Sequence, residues 1–214
     1  MNAGTHKLNL AGEAGVIEAL LDVPDAEACR LGSVRGTVVI AHPHPLFGGT
    51  MNNKVVQTLA RAFVQCGWRA VRFNFRGVGA SAGVYDEGRG ELTDMLAVVA
   101  QTAPADQPLA LAGFSFGAFV TSHALAQTWA DRPAAKVVLV GTAASRFAVA
   151  PLPPQAHDAT LVLHGEQDDT VPLLSVMDWA RPQSLPVTVI PGVEHFFHGQ
   201  LPLLKSLVMR HLRA

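Results

Sequence analysis

The sequence is poor in cysteine. Cys29 and Cys66 are its two thiols, too few for a disulfide framework. Cys66 falls on the apolar side of a predicted helix, where a buried structural thiol is expected. An excess of charge is missing as well: charged residues make up 15% of the chain and the formal net charge is −1. Neither a nucleic acid nor a membrane surface is therefore an expected partner. No apolar run approaches the ~20 residues that a transmembrane helix needs. The stretch Met1-Asn-Ala-Gly-Thr-His-Lys7 lacks the apolar core and cleavage pattern of a signal peptide. With the sparse cysteines, this makes a cytoplasmic location the expectation. There is no internal repeat and no domain linker, because the proline cluster Ala150–Pro154 spans too little chain to join domains. What remains is 214 residues, 49% of them hydrophobic. That is enough for one domain, residues 1–214, with a sizeable core, and too apolar for disorder.

Extended and helical segments alternate along the chain, which predicts a mostly parallel sheet with helices on its faces. Strands are expected over Thr5–Leu10 and Val16–Asp22, joined as a hairpin through Gly12 and Gly15. Further strands are expected over Val34–Ala41, Arg69–Phe73, Leu109–Ala112, Val137–Val140, Thr160–His164 and Val187–Ile190. Residues Pro24–Gly32 read as a surface loop. Helical spacing of Val55, Val56, Leu59, Phe63 and Val64 predicts a helix capped at Asn52 or Asn53 and ended at Gly67. Leu92, Met95, Leu96 and Val99 mark a second helix, ended near Pro104. A third runs over Phe116–Ala130, a fourth over Leu173–Trp179, and Leu201, Leu204, Leu207, Val208 and Leu212 make the last.

The most informative stretch is Leu109-Ala-Leu-Ala-Gly-Phe-Ser-Phe-Gly-Ala118. An apolar run of strand length ends in Gly113-Phe-Ser115-Phe-Gly117, and a helix-like segment follows. This is the G-x-S-x-G elbow in its strand–turn–helix setting. The two glycines let strand and helix pass closely without Cβ clashes. A serine hydroxyl needs a base to take its proton, and the base needs a third group to hold its tautomer. After the seventh strand the chain reads His164-Gly-Glu-Gln-Asp-Asp-Thr-Val-Pro172; after the eighth, Pro191-Gly-Val-Glu-His-Phe-Phe-His198. An acid and then a histidine thus lie just past successive strand ends. Parallel strands present those ends on one edge, where Ser115 can meet them.

On these motifs, together with Asn74-Phe-Arg-Gly-Val-Gly-Ala-Ser81, the chain resembles the α/β-hydrolase superfamily from about Gly36 to His198. The loop Ala41-His-Pro-His-Pro-Leu-Phe-Gly-Gly-Thr-Met-Asn-Asn-Lys54 is similar, more narrowly, to that of a small bacterial subgroup of predicted hydrolases without lids. The resemblance implies an α/β-hydrolase fold: an eight-stranded, mostly parallel sheet with helices on both faces and no lid domain. Only Gly141–Asp158 separates the sixth and seventh strands. Residue by residue it implies Ser115 as nucleophile and His195 as general base. The H-G-x-x-D-x-x-V-P register selects Asp168 as the orienting acid, with Asp169 as the rival. Glu194 reads as a loop carboxylate and His198 as a surface or supporting histidine. The first oxyanion donor is expected to be the backbone N–H of Phe116. The second should come from the loop after the third strand, where Pro43 and Pro45 have no N–H to give. His44 stands at the family's donor position, with Leu46 and Phe47 as alternatives. His42 is expected to be structural, hydrogen-bonded within that loop.

Metal binding by His42-Pro-His44 or His195-x-x-His198 is disfavoured by proline stiffening on one side and the triad role on the other. The Arg76–Ser81 loop lacks G-x-G-x-x-G, so no nucleotide cofactor is expected. The leading expectation is a cofactor-free serine hydrolase acting on a small-molecule carboxylic ester or thioester. A peptidase or amidase with the same triad, and a non-catalytic binding protein of the same fold, are the alternatives. Without a lid the site should be open and suited to short or exposed acyl groups. Phe47, Phe114, Phe116, Phe196 and Phe197 are candidate lining residues, with Phe147, Leu152 and the nearby prolines as one wall. Oligomeric state does not follow from the sequence.

Overall fold

The computed structural model describes residues 4–29 and 34–214. Its strands form an eight-stranded sheet in the order β1-β2-β4-β3-β5-β6-β7-β8. β1 (Thr5–Gly12) and β2 (Gly15–Asp22) make an antiparallel hairpin, closed where Gly12 faces Gly15, and β2 pairs antiparallel with β4 (Arg69–Phe73). All other pairings are parallel: β3 (Thr37–Ala41) with β4 and β5 (Leu109–Phe114), then β6 (Lys136–Val140), β7 (Thr160–Gly165) and β8 (Val187–Ile190). The helices are α1 (Lys54–Gln65), α2 (Arg89–Thr102), α3 (Phe116–Thr128), α4 (Leu173–Ala180) and α5 (Leu201–Arg213).

The side-chain alternation of the strands divides the interior in two. Val38 and Ile40 of β3 point to a core shared with Val56, Leu59 and Phe63 of α1 and Leu204, Val208 and Leu212 of α5. Val39 and Ala41 point the other way, to Met95 and Val98 of α2, Val120 and Leu125 of α3, and Val176 of α4. Helices therefore cover both faces, as the unbroken apolar run of β3 requires. α1 starts where Asn53 Oδ1 accepts the Val55 N–H at 2.9 Å, and it ends at Gly67, whose φ of +82° suits glycine.

β3 begins at Thr37 rather than at Val34. Thr37 faces Arg69 and Leu109, the first residues of β4 and β5; upstream of it the Arg35 N–H donates to the Gly67 carbonyl, in the turn that ends α1, so the strand ladders start at Thr37. The third helix closes at Thr128 rather than Ala130, because the Arg132 N–H turns back onto the Thr128 carbonyl at 2.8 Å to lead the chain into β6. Between β6 and β7 the chain contains one short 3-10 turn, Pro154–Ala156, and no helix or inserted lid.

The strand order places the site. From β3 the chain crosses to β4 on one side, and β5 lies on the other. The carboxyl ends of β3 and β5 flank the point where winding reverses, which is where open α/β sheets hold their ligands.

Candidate active site

Ser115 lies between the end of β5 and the start of α3 with φ 57° and ψ −117°, a conformation that an L-residue adopts only under constraint. Such strain costs on the order of 1–3 kcal/mol. The surroundings hold it: the Ser115 N–H donates to the Val140 carbonyl of β6 at 2.8 Å. Gly113 and Gly117 are needed for space. A Cβ on Gly113 would press into the backbone of Gly117, and one on Gly117 into the carbonyls of Ala41 and His42. The second approach also brings the loop after β3 against the start of α3.

His195 follows β8 and Asp168 follows β7, and both are buried. The His195 Nδ1–H donates to Asp168 Oδ2 at 2.6 Å, and the Ser115 hydroxyl donates to His195 Nε2 at 3.1 Å. These partners assign the proton to Nδ1 and leave Nε2 as an acceptor toward the serine. The other oxygen of Asp168 accepts the backbone N–H groups of Thr170 (3.0 Å) and Val171 (2.7 Å), which orients the carboxylate. Asp169 is exposed and accepts only from the Thr170 hydroxyl; it does not reach His195. Glu194 accepts the N–H groups of Phe196 and His198 and the His198 ring, so it serves the loop, and His198 stays outside the cluster. Burial raises the Glu194 pKa, but these donors outweigh it and leave the carboxyl below its ordinary value.

His164 lies beside this group without having been singled out in the sequence. It is fully buried, its Nε2–H donates to the Val171 carbonyl at 2.9 Å, and the same nitrogen is 3.5 Å from Asp168 Oδ2. Burial lowers its pKa, against the pull of Asp168. Its signal was the first position of the His164-Gly-x-x-Asp168 motif.

The loop after β3 is fastened from below. The His42 Nδ1–H donates to the Pro43 carbonyl at 2.6 Å, and His42 Nε2 accepts the Phe75 N–H at 3.0 Å. The Met51 N–H donates to Asn74 Oδ1, and Arg72, paired with Asp22 in the interior, donates to the Met51 carbonyl. The Asn74–Ser81 motif thus acts as an anchor for the His42–Thr50 loop. Burial drives the His42 pKa from 6.5 down to about 4, partly opposed by the Pro43 hydrogen bond. Between those values the unfolded chain binds more protons than the folded one. The stabilisation is thus complete above pH 6.5 and is lost as pH falls toward 4, by about 3 kcal/mol in all. Ring nitrogen shifts in an NMR titration should show His42 neutral until near pH 4; a midpoint near 6.5 would contradict this.

His44 is half-buried and caps the 3-10 turn Pro45–Phe47, its Nδ1 accepting the Leu46 N–H at 3.2 Å. The proton therefore sits on Nε2, which donates to the Tyr85 hydroxyl at 3.2 Å. The ring packs among Phe47, Tyr85, Phe116 and Phe147 at centroid distances of 4.7 to 5.8 Å. Burial, then the charge of Arg146, lowers its pKa. Among the described residues, neither the Phe116 nor the His44 backbone N–H has a hydrogen-bond partner.

A cavity of about 290 Å³ opens over Ser115 and His195. Phe47, Phe116, Phe147 and Phe196 line it. Phe114 and Phe197, expected there, are instead fully buried in the core beneath, and Leu152 packs into the opposite core. Their strand and loop positions send those side chains inward. Arg146 and Tyr85, both from loops, were not foreseen. The ring nitrogens of His42 and His195 all contact protein partners, and no group of three or more His, Cys, Asp or Glu among the described residues could hold a metal. No helix among the described residues is long and apolar enough to cross a membrane.

The elbow, the sheet order and the placement of acid and histidine define a class, the α/β serine hydrolases. The family described as serine aminopeptidase, S33, matches residues 32–157, more than half of the chain, and the protein belongs to that hydrolase family. It is similar to XC6422 of Xanthomonas campestris, a member of the a/b serine hydrolases without a lid: 32% identity, 100% of this chain and 95% of that chain covered, TM-score 0.84. An α/β serine hydrolase homologue from Coxiella burnetii is 36% identical over 97% of both chains, with a TM-score of 0.78. An uncharacterized protein of Rickettsia prowazekii is 45% identical over 85 residues, which is 38% of this chain and 36% of that relative's length.

Proposed function

We propose that the protein hydrolyses carboxylic esters or thioesters of small molecules through an acyl-enzyme on Ser115. The observation that carries this is the continuous chain from Asp168 Oδ2 through His195 to Ser115 Oγ, at the floor of an apolar cavity. His195 Nε2 takes the serine proton as Oγ attacks the carbonyl carbon. Asp168 stabilises the resulting imidazolium. The N–H groups of Phe116 and His44, unpaired among the described residues, receive the oxyanion. The imidazolium then protonates the departing alcohol or thiol, and a water molecule, deprotonated by the same nitrogen, releases the acid. The open mouth, with no inserted lid, suits short or exposed acyl groups.

The family description favours a second reading, an aminopeptidase. An aminopeptidase must bind the α-ammonium of its substrate, which calls for a carboxylate near the scissile bond. The residues lining this cavity include no Asp or Glu, and the charged side chain among them is that of Arg146. Ester hydrolysis is therefore the reading supported here. A fluorophosphonate probe should label the wild-type protein and leave Ser115→Ala unlabelled. In parallel, p-nitrophenyl butyrate should be turned over far faster than alanine p-nitroanilide. Absence of labelling would remove the nucleophile, and the reverse preference would make the protein a peptidase.

A further inference from the structure

Arg146 stands apart from most arginines of the described residues. Arg72 is paired with Asp22 and Arg76 with Asp94, and Arg132 donates to the carbonyls of Ala103 and Pro104. The Arg146 side chain is exposed and makes no ion pair or hydrogen bond within the described residues. Yet it lines the cavity that contains Ser115 and His195, and its charge is felt at His44. Its backbone is held in place. The Arg146 and Phe147 N–H groups both turn back onto the Ala143 carbonyl. His123 Nε2 donates to the Ala148 carbonyl at 2.8 Å, and Trp179 donates to the Ala150 carbonyl at 3.2 Å. A tethered turn thus presents an unpaired guanidinium at a cavity whose lining includes no carboxylate and no other Arg or Lys. Guanidinium groups in such settings recognise carboxylates and other oxyanions by paired N–H···O bonds.

We propose that Arg146 selects substrates carrying a negative charge, so that the preferred ester or thioester has a carboxylate, or a similar oxyanion, a few bonds from the scissile carbonyl. The proposal rests on the reading of Ser115 as nucleophile. Arg146 acts on affinity and orientation and takes no part in bond making. Phe47 and Phe147 provide the apolar walls between the anionic end and the reacting carbon.

The charge can lie on the acyl side or on the leaving group, and two pairs of matched substrates separate these cases. The first pair is the p-nitrophenyl esters of 5-carboxypentanoic acid and of its neutral 5-carbamoyl twin. The second is 4-carboxyphenyl and 4-carbamoylphenyl butyrate. In one pair, the wild-type enzyme is expected to favour the anion by about five-fold in kcat/KM, the effect of an ion pair at an open rim. Arg146→Gln should bring that ratio to about one, and Arg146→Glu should invert it. Added salt should shrink the wild-type ratio. A wild-type ratio of one in both pairs, with the neutral twins turned over, overturns the proposal and leaves the Ser115 reading standing. A preference that persists in Arg146→Gln overturns the assignment to Arg146. If none of the four esters is turned over and the fluorophosphonate does not label Ser115, the nucleophile reading falls and this proposal falls with it.

Discussion

Alanine at position 115 is expected to reduce kcat/KM for p-nitrophenyl butyrate by on the order of 10⁵- to 10⁶-fold, with the folded structure intact. On the proposed mechanism Ser115, His195 and Asp168 act as one unit, so deleting the first should remove nearly all of their joint contribution. Water attack assisted by the remaining oxyanion donors should account for the residue of activity. Stability should barely change in Ser115→Ala, because the hydroxyl makes a single hydrogen bond, to His195, and the backbone at φ 57° is strained with either residue. Ser115→Gly sharpens the point. Glycine adopts positive φ without a Cβ penalty, so this variant should be equally inactive and more stable by about 1 kcal/mol in urea denaturation. A glycine variant no more stable than the alanine one would show that the elbow stores no strain.

The second large effect concerns the acid. Asp168→Asn is expected to lower kcat by about 10⁴-fold, whereas Asp169→Asn should stay within two-fold of wild type. The surroundings of Asp168 explain the severity. One carboxylate oxygen accepts the N–H groups of Thr170 and Val171, and the other accepts His195 Nδ1–H. An asparagine in that position would keep its carbonyl oxygen on the two backbone donors and turn its NH₂ toward His195. The ring would then have to accept at Nδ1 and carry its proton on Nε2, facing Ser115. In that tautomer it cannot take the serine proton. Comparable losses in the two variants, or a larger loss at Asp169, would overturn the assignment.

Much of this site was legible in the sequence because its constraints are local. The elbow demands small residues two places before and after the serine, and Gly113 and Gly117 record that demand directly. Asp168 and His195 were visible because each follows an apolar run of strand length, and parallel strands deliver their ends to one edge. The hairpin and the two-faced core followed from the same periodicities. What was hidden depends on contacts between distant loops. Tyr85 reaches the His44 ring across 41 positions of sequence, and Arg146 enters the cavity from a segment without regular structure, beside Phe147, which the sequence offers as a wall residue. Phe114 and Phe197 were misplaced for a related reason: a phenylalanine beside a reactive residue can face the cavity or the core, and only the local backbone decides. Phe197 illustrates this, since a φ of 56° turns it inward. The true start of β3 was equally hidden, because it is set by where its neighbours begin.

The ring of Phe116 touches Phe75, Tyr85, Phe119, Phe147 and His44 at centroid distances of 5.0 to 5.9 Å, and the residue also lines the cavity. Phe47 and Phe196, by contrast, are 76% and 42% exposed at the mouth. The two sets will not diverge at the same pace under selection for new substrates. A change at Phe116 disturbs the packing and, on the proposed mechanism, an oxyanion donor together, so adaptive routes through it are expected to be closed. Changes at the mouth alter what is admitted while leaving the machinery beneath untouched. A library confined to positions 47 and 196 should therefore yield far more active clones of altered preference than one of equal size at 116 and 119.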